Sequence, residues 1–190
     1  DNAHQAQLFT EETGVNSVVI AATSDFEGMC ANLAFALSLY SGQMCTSPQN
    51  LYIPAGGIET DKGHKSFDEV AAALVAAIDT LLSDPARAAG VCGAIANPAT
   101  QARAEATATK GRVLRAGASK GEAGPLVLAV SAEDTIANEE CFGPVAFLIA
   151  TSDADAAIRK AATLAAERVR SLQPFTTPMR PALLVLKRLS

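Results

Sequence analysis

Residues 17–22 read Ser-Val-Val-Ile-Ala-Ala, a continuous apolar run rich in β-branched side chains. A strand that faces water on one side alternates apolar and polar residues; a run without alternation reads as a strand buried on both faces. Such a strand needs helices to cover it, and the chain supplies one at once. Ser24-x-x-Glu27 reads as a capping box, and Phe26, Cys30, Leu33, Leu37 and Tyr40 recur behind it at helical spacing, with Gly42 ending the helix. A loop over 42–49 then leads to a second strand at Asn50–Ile53, and Gly56-Gly57 marks a turn.

The same alternation continues. Ser66-x-x-Glu69 is a second capping box, and Phe67, Val70, Leu74, Ile78 and Leu81 form the apolar face of its helix. Residues 91–96 read as a short strand or extended segment. Asn97-Pro98 is an N-cap with proline at the first helical position, and Gly111 fits as the stop. Val113-Leu114, Leu126–Val130 and Ala146–Ala150 are strand candidates, and a last helix follows from about Ser152. The Ala- and Gly-rich stretch 116–124 reads as a flexible surface loop. Strands alternating with helices predict an α/β layered fold with a mostly parallel sheet and helices on its faces.

Charge and composition narrow the function classes. A formal net charge of −5 gives no general attraction to nucleic acid or to an anionic membrane. No apolar run reaches the roughly 20 residues that span a bilayer, and no secretory signal opens the chain at Asp1. Four cysteines, Cys30, Cys45, Cys92 and Cys141, form no Cys-x-x-Cys pair, and with only His4 and His64 beside them no metal site is expected. Reduced thiols and a cytoplasmic location are the expectation.

Three stretches carry residues suited to chemistry. Cys45 follows Gly42-Gln43-Met44 in a loop straight after a helix, where a thiol can be exposed and backbone donors can approach a substrate. Glu11 and Glu12 precede the first strand, where a carboxylate can be desolvated and act as a general base. Glu140 opens Glu-Cys-Phe-Gly-Pro, whose Gly-Pro fixes a bend before a strand. Taken singly, each has an ordinary reading: an inert loop thiol, two solvated acids, a turn.

Together, Glu11-Glu12-Thr13-Gly14, Gly42-Gln43-Met44-Cys45 and Glu140-Cys141-Phe142-Gly143-Pro144 resemble the motifs of the aldehyde dehydrogenase superfamily, in order and over residues 8 to about 167. The family pattern at the first motif is Glu-x-Gly-Gly; Thr13 stands here in place of its first glycine. The interval of 34 residues from Glu11 to Cys45 matches the family's spacing of base and nucleophile and selects Glu11 over Glu12. Longer stretches are similar to the phenylacetate-degradation (PaaN-type) branch: Thr10-Glu11 with Gly14-Val15-Asn16, Asn32-Leu33-Ala34-Phe35, residues 39–45, Pro48-Gln49-Asn50 and residues 63–70.

The resemblance implies a mechanism. Cys45 is the nucleophile that takes an aldehyde through a thioester to an acid, and Glu11 is the base that activates the hydrolytic water. Glu140 would bond the nicotinamide ribose, and Phe142 would line the nicotinamide end of the cofactor. Met44 and Thr46 would border the substrate tunnel. The cofactor implied is NAD or NADP, held mainly by a Rossmann-type domain, and no Gly-rich phosphate loop followed by a helix occurs in these 190 residues. The implied substrate is an aldehyde, with a CoA-linked semialdehyde of phenylacetate degradation as the branch's candidate, and the full-length protein is expected to be a homo-oligomer.

On this reading residues 1–167 are a catalytic domain, incomplete at its C-terminal end and expected to be inactive alone. Residues 168–190 are an atypical tail with five basic and no acidic residues and three prolines, as in a truncated or frame-altered product. A CoA-acylating dehydrogenase and a non-catalytic binding module of the same fold are the alternatives. Glu11 favours hydrolysis, because transfer to CoA needs no activated water.

Overall fold

The computed structural model describes residues 14–171 and 183–186. Glu11, Glu12 and His4 lie outside them. The main sheet has six strands, here numbered in chain order with the helices: β1 (Asn16–Ile20), β3 (Pro48–Pro54), β6 (Arg112–Arg115), β7 (Leu126–Ser131), β8 (Val145–Thr151) and β9 (Leu183–Leu186). Their spatial order is β6-β7-β8-β3-β1-β9, and every pairing is parallel except β6 with β7. The expected α/β architecture with a mostly parallel sheet is what forms.

The unalternating apolar runs become strands with both faces covered. Val18, Ile20, Leu51, Ile53 and Leu148 enter one core with α1 (Phe26–Ser38) and α2 (Phe67–Leu82). The residues between them, Val19, Tyr52, Phe147 and Ile149, enter the other core, with Ala104 of α4 (Pro98–Thr107) and Ala157 and Ala161 of α5 (Ala154–Ser171). The two-residue period of a strand divides one run between two layers. Phe147 and Leu148 are fully buried on opposite faces, and each such side chain contributes about 1.5–3 kcal/mol relative to exposure.

The capping box at Ser66 forms in full: the Ser66 side chain accepts from the Glu69 amide, and Glu69 accepts from the Ser66 backbone. The helix at Asn97-Pro98 also forms, with Asn97 accepting from the Ala99 amide.

Several local expectations are corrected. The cap of α1 is Asp25, which accepts from Gly28 N–H, one residue after the predicted Ser24. The apolar run breaks at Ala21, and β2 (Ala22–Thr23) leaves for a small second sheet with the hairpin β4 (Ile58–Thr60) and β5 (Gly63–Lys65). Residues 91–96 are not a strand. Val91 and Cys92 end a helix, α3 (Pro85–Cys92), begun by an Asp84 N-cap with proline after it and stopped by Gly93 at φ +61°. The helix α4 stops at Thr107, well before Gly111, which instead lies against Val130 and Ala129 of β7.

The stretch 116–124 is not a free loop. It makes a 3-10 turn over Gly117–Lys120 with Gly117 and Ala118 buried, and Arg115 donates to the Pro125 and Ala123 carbonyls around it. The domain boundary expected at residue 167 falls inside α5, and Leu183–Leu186 of the tail pairs in parallel with β1.

Candidate functional site

Two of the three motif segments are described, and both end where a parallel strand begins. Residues 42–47 lead into β3 and residues 139–144 into β8, while β1 starts at Asn16, opposite Pro48. Because β8, β3 and β1 are neighbours and run the same way, their starting ends share one edge of the sheet. Segments about 95 residues apart in sequence therefore meet, and Asn16, Met44, Cys45, Glu140 and Phe142 line one small recess there.

The cysteine loop is held in an unusual backbone conformation. The helix α1 ends at Ser38, and Tyr40, Ser41 and Gly42 then take φ of 49°, 53° and 66°. Left-handed geometry costs an ordinary residue roughly 1–2 kcal/mol, so neighbouring contacts have to hold Tyr40 and Ser41 there. The Ser41 hydroxyl donates to the Cys92 carbonyl at 3.0 Å. The Gln43 amide donates to the Tyr40 and Ala94 carbonyls at 3.0 and 3.1 Å. A turn over Met44–Ser47 follows, closed by Ser47 N–H on the Met44 carbonyl at 3.0 Å, with Cys45 exposed at its tip.

Two amide side chains fasten this loop and its neighbour. Asn16 donates to the Cys45 carbonyl at 2.6 Å and to the Ser47 carbonyl at 3.2 Å. Gln49 is the extra residue where the β1–β3 register slips, so its side chain leaves the regular pleat. It donates to the Glu139 carbonyl at 2.9 Å and accepts from Cys141 N–H at 2.7 Å, gripping the backbone on both sides of Glu140. Asn50 donates to the Ala137 carbonyl at 2.7 Å, and Arg103 to the Phe142 carbonyl at 2.7 Å. Gly42 packs directly on Gly143 and Pro144, so the two loops touch backbone to backbone.

Among the described residues the Glu140 carboxylate has no hydrogen-bond or ion-pair partner, and the Phe142 ring is 40% exposed. Cys45 is the exposed thiol of the four. Burial raises the pKa of each of the others: Cys30 to about 11, and Cys92 and Cys141 upward in the same direction. Those three are buried and serve as packing residues. Among the described residues no group of three or more His, Cys, Asp or Glu side chains could hold a metal ion, and no helix is long and apolar enough to cross a membrane.

Sequence reasoning had not given a role to Asn16 or Gln49. The available signals were local: an amide breaking the apolar pattern where β1 starts, and an amide directly after Pro48, which has no N–H for the ladder.

Comparison with known proteins identifies the family. The model of the aldehyde dehydrogenase family matches residues 2–165. The chain belongs to the aldehyde dehydrogenase family. Among solved structures, an NAD-dependent aldehyde dehydrogenase from Burkholderia multivorans is 44% identical, with a TM-score of 0.78 over 86% of this chain and 31% of the other. A Mycobacterium tuberculosis aldehyde dehydrogenase complexed with NAD+ is 25% identical, with a TM-score of 0.60 over 78% of this chain and 32% of its own. A gamma-glutamyl-gamma-aminobutyraldehyde dehydrogenase from Burkholderia cenocepacia J2315, 23% identical with a TM-score of 0.59 over 90% of this chain and 37% of its own, shares the fold. No curated protein matches the chain. The chain thus spans about a third of the length of the solved aldehyde dehydrogenases it matches.

Proposed function

We propose that this chain carries the nucleophile and part of the cofactor-facing surface of an NAD(P)-dependent aldehyde dehydrogenase that oxidises an aldehyde to an acid. The observation that carries the reading is the shared recess. The exposed thiol of Cys45 and the Glu140 carboxylate, unpaired among the described residues, lie on the same edge of the sheet, on loops tied by the amide side chains of Asn16, Gln43 and Gln49.

In this reading the Cys45 sulfur attacks the aldehyde carbon, forming the S–C bond of a thiohemiacetal. The oxygen that becomes negative faces backbone N–H groups of the cysteine turn, a stabilisation that contributes several kcal/mol in such sites. When bound, the nicotinamide cofactor supplies the hydride acceptor for oxidation to the thioester. Water, deprotonated by Glu11, then cleaves the S–C bond and releases the acid and the thiol. Glu11 lies outside the described residues. It stands five residues before Asn16, which lines the recess, an interval of at most roughly 17 Å of extended chain.

The residues present fit the nicotinamide end of a dinucleotide. Glu140 offers ribose hydroxyls a carboxylate that is unpaired among the described residues, and Phe142 offers an exposed apolar face. The remainder of the dinucleotide would be held by protein outside this chain, consistent with the third of the matched length that it spans. The stretches similar to the phenylacetate-degradation branch support a semialdehyde substrate, and the 44% identical relative, an NAD-dependent enzyme, supports NAD as the cofactor.

The test is single-turnover NAD(P)H formation in a polypeptide carrying both this chain and a dinucleotide-binding domain. Cys45→Ala should give no burst. Glu11→Gln should keep the burst and slow the following turnovers by about 10²–10⁴-fold, the usual weight of general-base catalysis, while Glu12→Gln behaves as the parent. A full burst from Cys45→Ala would overturn the assignment of the nucleophile.

A further inference from the structure

Cys45 sits between two peptide planes, and the structure accounts for the direction of both. In a trans peptide the C=O and N–H point opposite ways. The Met44 carbonyl accepts from Ser47 N–H inside the turn, so the N–H of the same peptide, that of Cys45, points out of it. The Cys45 carbonyl accepts from Asn16, so the N–H of the next peptide, that of Thr46, points away from Asn16. Neither N–H has an acceptor among the described residues.

The main chain alone does not hold this geometry. The ladder between β1 and β3 begins at Asn16 opposite Pro48, and Pro48 has no N–H to contribute. The Cys45 carbonyl lies before the first ladder pair, inside the turn. The side chain of Asn16 donates to the Cys45 and Ser47 carbonyls and so carries the tie between β1 and the turn one step beyond the ladder.

We infer that Asn16 is a positioning residue: by holding the Cys45 and Ser47 carbonyls it aims the free N–H groups of the cysteine turn at the oxyanion formed when Cys45 attacks a carbonyl. Asn16 touches neither the sulfur nor the substrate in this role; it acts through the backbone of the turn. The inference rests on Cys45 being the nucleophile, as proposed above.

Two reactions of the same thiol separate orientation from mere exposure, and neither needs a dinucleotide. With p-nitrophenyl acetate, the Cys45 sulfur adds to the ester carbonyl through an oxyanion. The acyl C–O bond then breaks, p-nitrophenolate leaves, the acetyl group stays on sulfur and the thiol proton goes to solvent. With iodoacetamide, sulfur displaces iodide in one step and no oxyanion forms. Both rates are measured on the 190-residue chain, with Cys45→Ala as the blank and circular dichroism as the check on folding.

Asn16→Leu, similar in size but without a donor, should slow acetylation at least about 10-fold, because a misaimed oxyanion donor forfeits part of the 10²–10³ such a donor supplies. Alkylation should change less than about threefold. Asn16→Ser, which keeps one donor, should fall between Asn16→Leu and the parent in acetylation, and it carries the comparison if Asn16→Leu does not fold. Equal acetylation in parent and variants, or a parallel fall in both reactions, overturns the positioning role and leaves the nucleophile assignment standing. A parent chain that alkylates at Cys45 but acetylates no faster than the blank overturns the nucleophile assignment itself, and the positioning role with it.

Discussion

Gly42 and Gly143 meet backbone to backbone: a Cβ built on Gly42 would run into the Gly143 carbonyl, with the Pro144 nitrogen close behind. One glycine ends the turn before the cysteine loop and the other lies in the Glu-Cys-Phe-Gly-Pro segment, so the contact sets how close Cys45 and Glu140 can come. Gly42 also needs its left-handed φ of +66°. Gly42→Ala adds the strain of a left-handed alanine to a clash with backbone that cannot rotate away. The expected cost is about 2 kcal/mol or more, read as a lower urea midpoint. An unchanged midpoint would show that the two loops are not in contact.

The four thiols should differ in reactivity. At neutral pH, limited iodoacetamide labelling followed by mass spectrometry should modify Cys45 first. Cys30, with its pKa pushed to about 11 by burial, and the likewise buried Cys92 and Cys141 should react only after denaturant is added. Early labelling of any of these three in the folded chain would contradict their placement in the core.

Gln49 makes a separable prediction. Gln49→Met keeps the size of the side chain and removes both bonds to the segment around Glu140, leaving the buried Cys141 N–H without its acceptor. The stability loss should be on the order of 1–3 kcal/mol. Amide exchange at Cys141 should accelerate while β3 stays protected and Cys45 alkylation is unchanged. Unaltered exchange at Cys141 would mean that the segment is held by Asn50 and Arg103 instead.

The capping box at Ser66 and Glu69 should appear in the acid limb of stability. Hydrogen bonds from the Ser66 backbone and hydroxyl lower the Glu69 pKa below its ordinary 4.5. A depressed folded-state pKa contributes stability that is present above the unfolded value and disappears as pH falls through the folded one. Glu69→Gln should therefore flatten part of the fall in Tm below about pH 4.5 and change the pH 7 to 8 region little in shape. Parent and variant curves of identical shape in acid would remove the carboxylate from the cap.

Much of the architecture was legible from local pattern. The run at 17–22, the helical spacing behind it and the capping chemistry at Ser66 and Asn97 depend on near neighbours, and the elements formed there. The misreadings came where local pattern is ambiguous. Val91 and Cys92 look like strand until the Asp84-Pro85 start and the Gly93 stop are weighed together, and 116–124 looks free until Arg115 is seen to bind its carbonyls.

By itself the sequence determined most strand and helix types and the family motifs, and it pointed to Cys45 as the candidate nucleophile, because these are properties of single residues and short spacings. Only the tertiary structure decided that the segments before β3 and β8 share an edge with the start of β1, since that follows from neighbouring parallel strands rather than from spacing along the chain. It alone assigned work to Asn16 and Gln49. Their partners, the Cys45, Ser47 and Glu139 carbonyls and the Cys141 amide, are backbone groups that every residue carries. No pattern of side chains announces which of them a distant amide will reach.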